Sequence, residues 1–301
     1  MRKGIRFFAT FFAIALVFTV IACGKKPEGE TSEPTYTDEE NYAVFRAGVA
    51  DSLSCDDAYT YFETIGYAVD GVILEIDKSY ETRDGNRFMY ETSEMTKPSE
   101  SPESQLTLTQ NLIRAVKLVT ADGEQKYKYC LQQLRGDGNY EKSGSYIAAA
   151  ELGNYVKTES SPKNVLSRVL TADDTYADFV ASLKKYIVEN ESDRGVTADK
   201  ITVSTGRDSI ETSQITVSAI AEGISYEEGG KQYTGKLIWT FVVKDGKVTE
   251  YGHRSEITTD KGNGTTGSIT ISVDAAFKYE FDEERYDEIV ADEYLVAETG
   301  E

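Results

Sequence analysis

Hydrophobic and polar positions along this chain change period several times, and each change marks an element. Residues 7–21 are apolar except for Thr10 and Thr19. That run, of roughly 15 residues, is shorter than the ~20 a helix needs to cross a hydrocarbon core. From Gly24 to Asn41 there is no apolar period, and the Glu, Gly, Pro, Ser and Thr content predicts a flexible tether. Tyr42, Phe45, Val49 and Leu53 then recur at helical spacing. Tyr59, Phe62 and Ile65 repeat it behind Ser54 or Asp56 as a second cap, so two short helices or one bent one are expected. At Val69 the period drops to two. Strands are expected over 69–78 and 86–92 about an Asp84-Gly85 turn, followed by a Pro- and Ser-bearing loop over 96–105. A longer hairpin joins 106–120 to 124–134 across Ala121-Asp122-Gly123, residues 136–139 turn again, and 146–156 adds a strand.

The chain breaks at Ser160-Ser161-Pro162, and an amphipathic helix follows. Asp173 and Asp174 stand at its start, and Tyr176, Phe179, Val180, Leu183 and Ile187 form one apolar stripe with Lys184 and Lys185 facing solvent. From Lys200 the pattern is an antiparallel meander over 200–204, 213–226, 231–244, 247–258 and 267–281. A two-residue loop at Asp245-Gly246 would set Val243 opposite Val248, Phe241 opposite Glu250 and Trp239 opposite Gly252; a bulge would shift those pairs by one. The acidic end forms a last helical turn around Tyr286, Ile289 and Val290, then an acidic tail over 291–301. Asp56-Asp57-Ala58-Tyr59 with Phe62 matches Asp173-Asp174-Thr175-Tyr176 with Phe179, which hints at a duplication, against two unrelated helix starts.

Charge and cysteine placement add the compartment. Arg2, Lys3 and Arg6 precede the apolar run, which closes on Val20-Ile21-Ala22-Cys23. This ending resembles the lipobox of bacterial lipoproteins. The resemblance implies a signal peptide over 1–22, a diacylglycerol-modified Cys23 as the mature N-terminus, and a body tethered to a membrane, facing outside the cytoplasm. An ordinary cleaved signal peptide and an uncleaved anchor are the alternatives. Removing residues 1–22 takes away three cations and no acid, so the net charge of -20 becomes -23. So acidic a chain is a poor partner for nucleic acid and is repelled by anionic headgroups. Tyrosine, at 20 residues, outnumbers phenylalanine, tryptophan and methionine together, which suits half-buried strands and wet apolar grooves. Cys55 and Cys130 remain as a candidate disulfide, which would gain about 4 kcal/mol in the chain-entropy picture, or as two free thiols.

Motifs for catalysis, metal or cofactor are poorly matched. Gly262-Asn263-Gly264-Thr265-Thr266-Gly267 spells a dinucleotide-binding glycine motif, but strands flank it and a hairpin loop is expected. Ser182-Leu183-Lys184-Lys185 spells a penicillin-recognising nucleophile motif without its partner motifs. Asp137 and Asn139 are too few for a calcium loop. His253 is the sole histidine, which excludes any metal site with two imidazoles. No cofactor, metal or catalytic residue is therefore expected, and with 52 acidic residues carboxylate pairs are uninformative.

The order and spacing of elements over residues 42–290 resemble the LolA-like lipoprotein-carrier superfamily. That resemblance implies an α+β fold, in which a large curved antiparallel sheet forms a half-barrel with helices on its concave face. It is expected as one domain, with a split near 158–172 as the alternative. It also implies an apolar ligand such as a lipid, held by Tyr176, Phe179, Val180, Leu183, Ile187, Trp239 and Phe241. The expected function is non-enzymatic binding or carriage; an interaction or scaffold lipoprotein with a filled core is the alternative, and a carboxylate-based hydrolase a third.

Overall fold

Thr37 opens the structure with a capping box: its hydroxyl accepts from Glu40 N–H at 3.2 Å and its own N–H donates to the Glu40 carboxylate at 2.8 Å. Helix α1 (Asp38–Leu53) follows, so residues 38–41, expected as part of the tether, are helical instead. The computed structural model describes residues 36–55, 58–85, 87–96, 107–108, 112–119, 125–134, 140–148, 161–262 and 264–290, with side chains described outside 107–148 and 289–290.

Seven strands come next: β1 (Ala58–Val69), β2 (Val72–Asp84), β3 (Arg87–Thr96), β4 (Thr107–Leu108), β5 (Leu112–Val119), β6 (Gln125–Leu134) and β7 (Tyr140–Ala148). The second helix expected around Tyr59, Phe62 and Ile65 is instead β1. Tyr59 and Tyr61 alternate with Thr60 and Phe62, and aromatic and β-branched side chains favour a strand once partners stand on both sides. The hint of a duplication falls with it, because the matching stretch at 173–179 begins a helix. The strand expected over 69–78 straddled a turn: Asp70 and Gly71, at φ 51° and 77°, make the two-residue connection that joins β1 to β2. β5 and β6 form a hairpin as expected, but the strand expected over 106–120 is two: β4 pairs with β3, and only β5 pairs with β6. The last strand of this half starts at Tyr140, six residues earlier than expected. The expected loop over 97–105 and the turns at 121–123 and 136–139 lie outside the described residues.

At the expected break, Ser161 caps a short helix α2 (Pro162–Leu166), with Pro162 in the first turn where its missing N–H costs nothing. Helix α3 (Tyr176–Glu191) follows, capped by Thr175 and Asp178. Two short 3-10 turns lead into β8 (Ile201–Arg207), β9 (Ile215–Glu228), β10 (Lys231–Lys244), β11 (Lys247–Asp260) and β12 (Thr266–Lys278), and α4 (Glu283–Val290) ends the described chain. At the β10–β11 hairpin Val243 faces Val248 as expected, but a bulge beyond it moves the other pairs: Phe241 faces Tyr251 and Trp239 faces His253.

The strands form one antiparallel sheet in the order β7-β6-β5-β3-β2-β1-β12-β11-β10-β9-β8, with β4 on β3. It is an open half-barrel with helices on its concave face. Because β1 pairs with β12, no split occurs near 158–172, and the chain from Tyr36 onward is one unit. Helix α1 lies against β8–β11 and touches α2 and α3 on the same face. Gly48 permits this approach, since a Cβ there would meet Val243 Cγ1 at 2.5 Å. Helix α4 takes the opposite face, where Tyr80 donates to Asp282 and Arg285 pairs with Glu91 at 2.9 Å.

Candidate functional site

All seven residues expected to hold a ligand come together, but as closed core. Phe179, at 1 % exposure, stacks on Tyr42 with ring centroids 5.0 Å apart and meets Phe45 at 5.5 Å. Leu183, Ile187, Trp239 and Phe241 are equally buried in the same cluster. Tyr176 and Val180 are half-buried at its margin, and Tyr176 donates to the Val203 carbonyl at 3.2 Å. The aromatic side chains of α1, wedged between α3 and the sheet, take the space a ligand would need. Burial pushes the Tyr42 and Tyr176 hydroxyls up to about 12.

The candidate disulfide is not formed. Cys55 is a free thiol whose sulfur accepts from Lys247 Nζ at 3.0 Å, while Cys130 lies on β6 opposite Gly144. Cys23 lies outside the described residues. Lys185, on α3, sits 3.9 Å from Glu189, and the glycine-rich stretch from Gly262 is the β11–β12 loop. Asp137 and Asn139 lie outside the described residues.

Directly paired residues share a sheet face, so register extends the concave face beyond the helices. One row runs Trp239, His253, Val273, Ile65, Asp77, Glu94 from β10 to β3. The next, toward the Asp70-Gly71 turn, runs Leu237, Ser255, Ile271, Tyr67, Glu75, Thr96. Each row starts in closed core and ends in half-buried side chains, and Ile271 is 38 % exposed. The result is an apolar strip of Ile65, Tyr67, Ile271 and Val273 bordered by carboxylates.

Those carboxylates are crowded. Oxygens of Glu75, Asp77 and Glu94 lie within 4.8 Å of one another, and Asp77 Oδ1 is buried without a hydrogen bond. Burial and the neighbouring Asp77 and Glu75 charges push Glu94 up. On the helical side, burial pushes Glu191 up, although Arg194 pairs with it at 3.2 Å. His253 stacks on Trp239 at 4.7 Å, with Nε2 3.9 Å from Glu191. Burial and the Arg194 charge lower its pKa to about 4, so it is neutral at pH 7. Glu75, Asp77 and Glu94 could hold a hard cation or an ammonium group, since each offers a carboxylate oxygen to the same point. Sequence reasoning missed all three. Each reads as one of many surface acids, and only the pairing of β2 with β3 makes them neighbours.

Two further features are structural. Glu81, fully buried on the same face, accepts from Tyr59 at 2.5 Å and lies 3.6 Å from Arg83. On the opposite face an open groove of about 590 Å³ includes Lys236, Arg254 and Glu256, whose charges pair with each other at 2.9–3.0 Å.

No protein-family model and no curated protein matches the chain. Among solved structures, a β-barrel-like protein of a domain of unknown function, DUF1849, from Brucella abortus is similar over 75 % of this chain and 97 % of that one. The identity is 9 % and the TM-score 0.18.

Proposed function

We propose that this chain is a non-enzymatic binding lipoprotein, anchored through Cys23 on the outer side of a cytoplasmic boundary, whose ligand is an apolar molecule bearing a positive charge. One observation carries the reading: the concave-face rows lead from closed aromatic core into a half-buried apolar strip and end on Glu75, Asp77 and Glu94. A ligand's apolar body laid on Ile65, Tyr67, Ile271 and Val273 would gain about 25 cal/mol per Å² removed from water. An ammonium head at Asp77 and Glu94 would donate charge-assisted hydrogen bonds to their carboxylates and relieve the repulsion among the three acids. An anionic lipid headgroup would be repelled there.

Calorimetric titration of residues 24–301 with three twelve-carbon amphiphiles below micelle formation tests this. Dodecylammonium should bind, dodecyl sulfate should not, and dodecyl maltoside should bind weakly. Asp77→Asn with Glu94→Gln should weaken the cationic amphiphile at least tenfold. Equal binding of all three, or no effect of the double substitution, refutes the proposed ligand class. The closed core at Phe179 and Trp239 favours a second reading, an interaction lipoprotein, and absence of all amphiphile binding would support it. Cys23→Ser should release the protein from the membrane fraction, and retention there would refute the anchor.

A further inference from the structure

We infer that the loop joining β8 to β9 is a membrane-contact point that sets how the anchored body stands on the bilayer. This rests on the lipid anchor at Cys23. Among the described residues, large hydrophobic side chains are exposed at only two positions, Ile271 on the concave face and Ile210, which is 95 % exposed. Ile210 is a fastened tip. The Asp208 carboxylate accepts from the N–H groups of Ile210 at 2.8 Å and Glu211 at 2.6 Å, and Asp208 N–H donates to the Gln214 carbonyl at 3.0 Å. Lys244 ties Glu211 to β10 at 3.0 Å. The isoleucine is thus held in water by a cross-braced loop.

The position of that tip names its occupant. Arg207, three residues before Ile210, lies over the Tyr36 ring at 3.8 Å and donates to Asn41 Oδ1 at 3.1 Å. Three residues span at most about 10 Å, so Ile210 and Tyr36 lie at the same end of the molecule. Tyr36 is where the described chain begins, and only residues 24–35 separate it from Cys23. Twelve residues span at most about 43 Å in any conformation, so an anchor at Cys23 attaches at this end of the body and keeps it within that reach of the headgroups.

Burying one isoleucine side chain is worth about 1.5–3 kcal/mol, too little to recruit a free protein, but the tether makes the encounter intramolecular. Charge gives no alternative attraction to an anionic surface. Asp38, Glu39, Glu40 and Asp208 stand at this end against Arg207, Arg46 and Lys244, and the two latter are paired with Asp174 and Glu211. The fitting occupant is therefore a zwitterionic lipid surface, entered by the isoleucine.

Ile210→Trp in the full-length, lipidated protein tests the contact in phosphatidylcholine vesicles with brominated acyl chains. The native Trp239 is 3 % exposed and supplies an unquenched baseline. Gln232→Trp, an exposed site at the start of β10 beside the far end of β9, is the control. Quenching of Trp at 210 several-fold above both supports the inference. Quenching at 210 no greater than at 232, in a sample whose Cys23 peptide carries the lipid mass and which floats with the vesicles, overturns this contact and leaves the anchor standing. A Cys23 peptide without lipid overturns both.

Discussion

Gly48 and Val243 allow a quantitative test of how α1 seals the core. A Cβ on residue 48 would lie 2.5 Å and 2.9 Å from the two Val243 methyls, closer than carbon atoms pack, and Val243 is fully buried. Gly48→Ala gains about 1 kcal/mol of helix propensity. The overlap costs about 1–3 kcal/mol, because neither a helix backbone nor a stiff β-branched side chain yields easily. The net expectation is a loss of about 1 kcal/mol. Val243→Ala alone should cost about 2–3 kcal/mol for the lost burial and the void. In the double variant the overlap is gone, the helix gain survives and the alanine methyl enters the void. The pair should then be more stable than Val243→Ala alone, with a coupling of about 2 kcal/mol. Urea titration of residues 24–301 and the three variants, followed by tryptophan fluorescence, measures this. Additivity within about 0.5 kcal/mol would refute the close approach of α1 to β10.

Other expectations follow from the same core. Phe179→Ala removes a ring that meets Tyr42 and Phe45, and should cost about 3–5 kcal/mol in urea or thermal unfolding. Tyr59→Phe strips a hydrogen bond from the fully buried Glu81 carboxylate and should cost about 1.5–3 kcal/mol at pH 7, whereas a loss under 0.5 kcal/mol would remove that bond from the account of the core. His253 has a folded pKa of about 4 against 6.5 unfolded, so the unfolded chain binds the proton first. Its contribution is complete above pH 6.5 and is lost as the pH falls through 4, by about 3 kcal/mol in all. His253→Gln should therefore flatten the stability profile between pH 6.5 and 4 relative to the parent; Glu191, raised by burial, acts with the opposite sign in both proteins.

What the sequence makes legible is what local chemistry decides. The stripe from Tyr176 to Ile187 is one helix, and the meander from 200 onward has its five strands, because their periods are long and three of the four connections carry turn residues, Gly229-Gly230, Asp245-Gly246 and Gly262-Asn263-Gly264. Tyr59, Phe62 and Ile65 misled because three apolar residues three apart fit a helix and a strand alike; in the strand they alternate faces, and β2 and β12 on either side decide the matter. The start of α1 was readable in Thr37 and Glu40 but hidden in a stretch of tether-like composition. Glu75, Asp77 and Glu94 were not readable at all, since their proximity depends on the register of β2 against β3.

The pairing of β1 with β12 also governs when the molecule can form. Tyr61 meets Phe277 and Val69 meets Ile269, so one edge of the first strand waits for a partner about 200 residues downstream. Helix α1 waits as well, because its contacts are with strands from β8 to β11. A chain emerging from its N-terminus can pair β1 with β2 early, but α1 and the other edge of β1 have no partner until nearly all of it has been made, and such non-local closure is slow. Under the anchor proposed at Cys23 the chain is threaded through a membrane before it folds, and there lateness is useful: the open edge of β1 and the face that α1 covers stay unfilled until the last strand acts as the release. A chain ending before Thr266 would lack that release, leaving β1 and β11 as bare edges open to pairing with other chains.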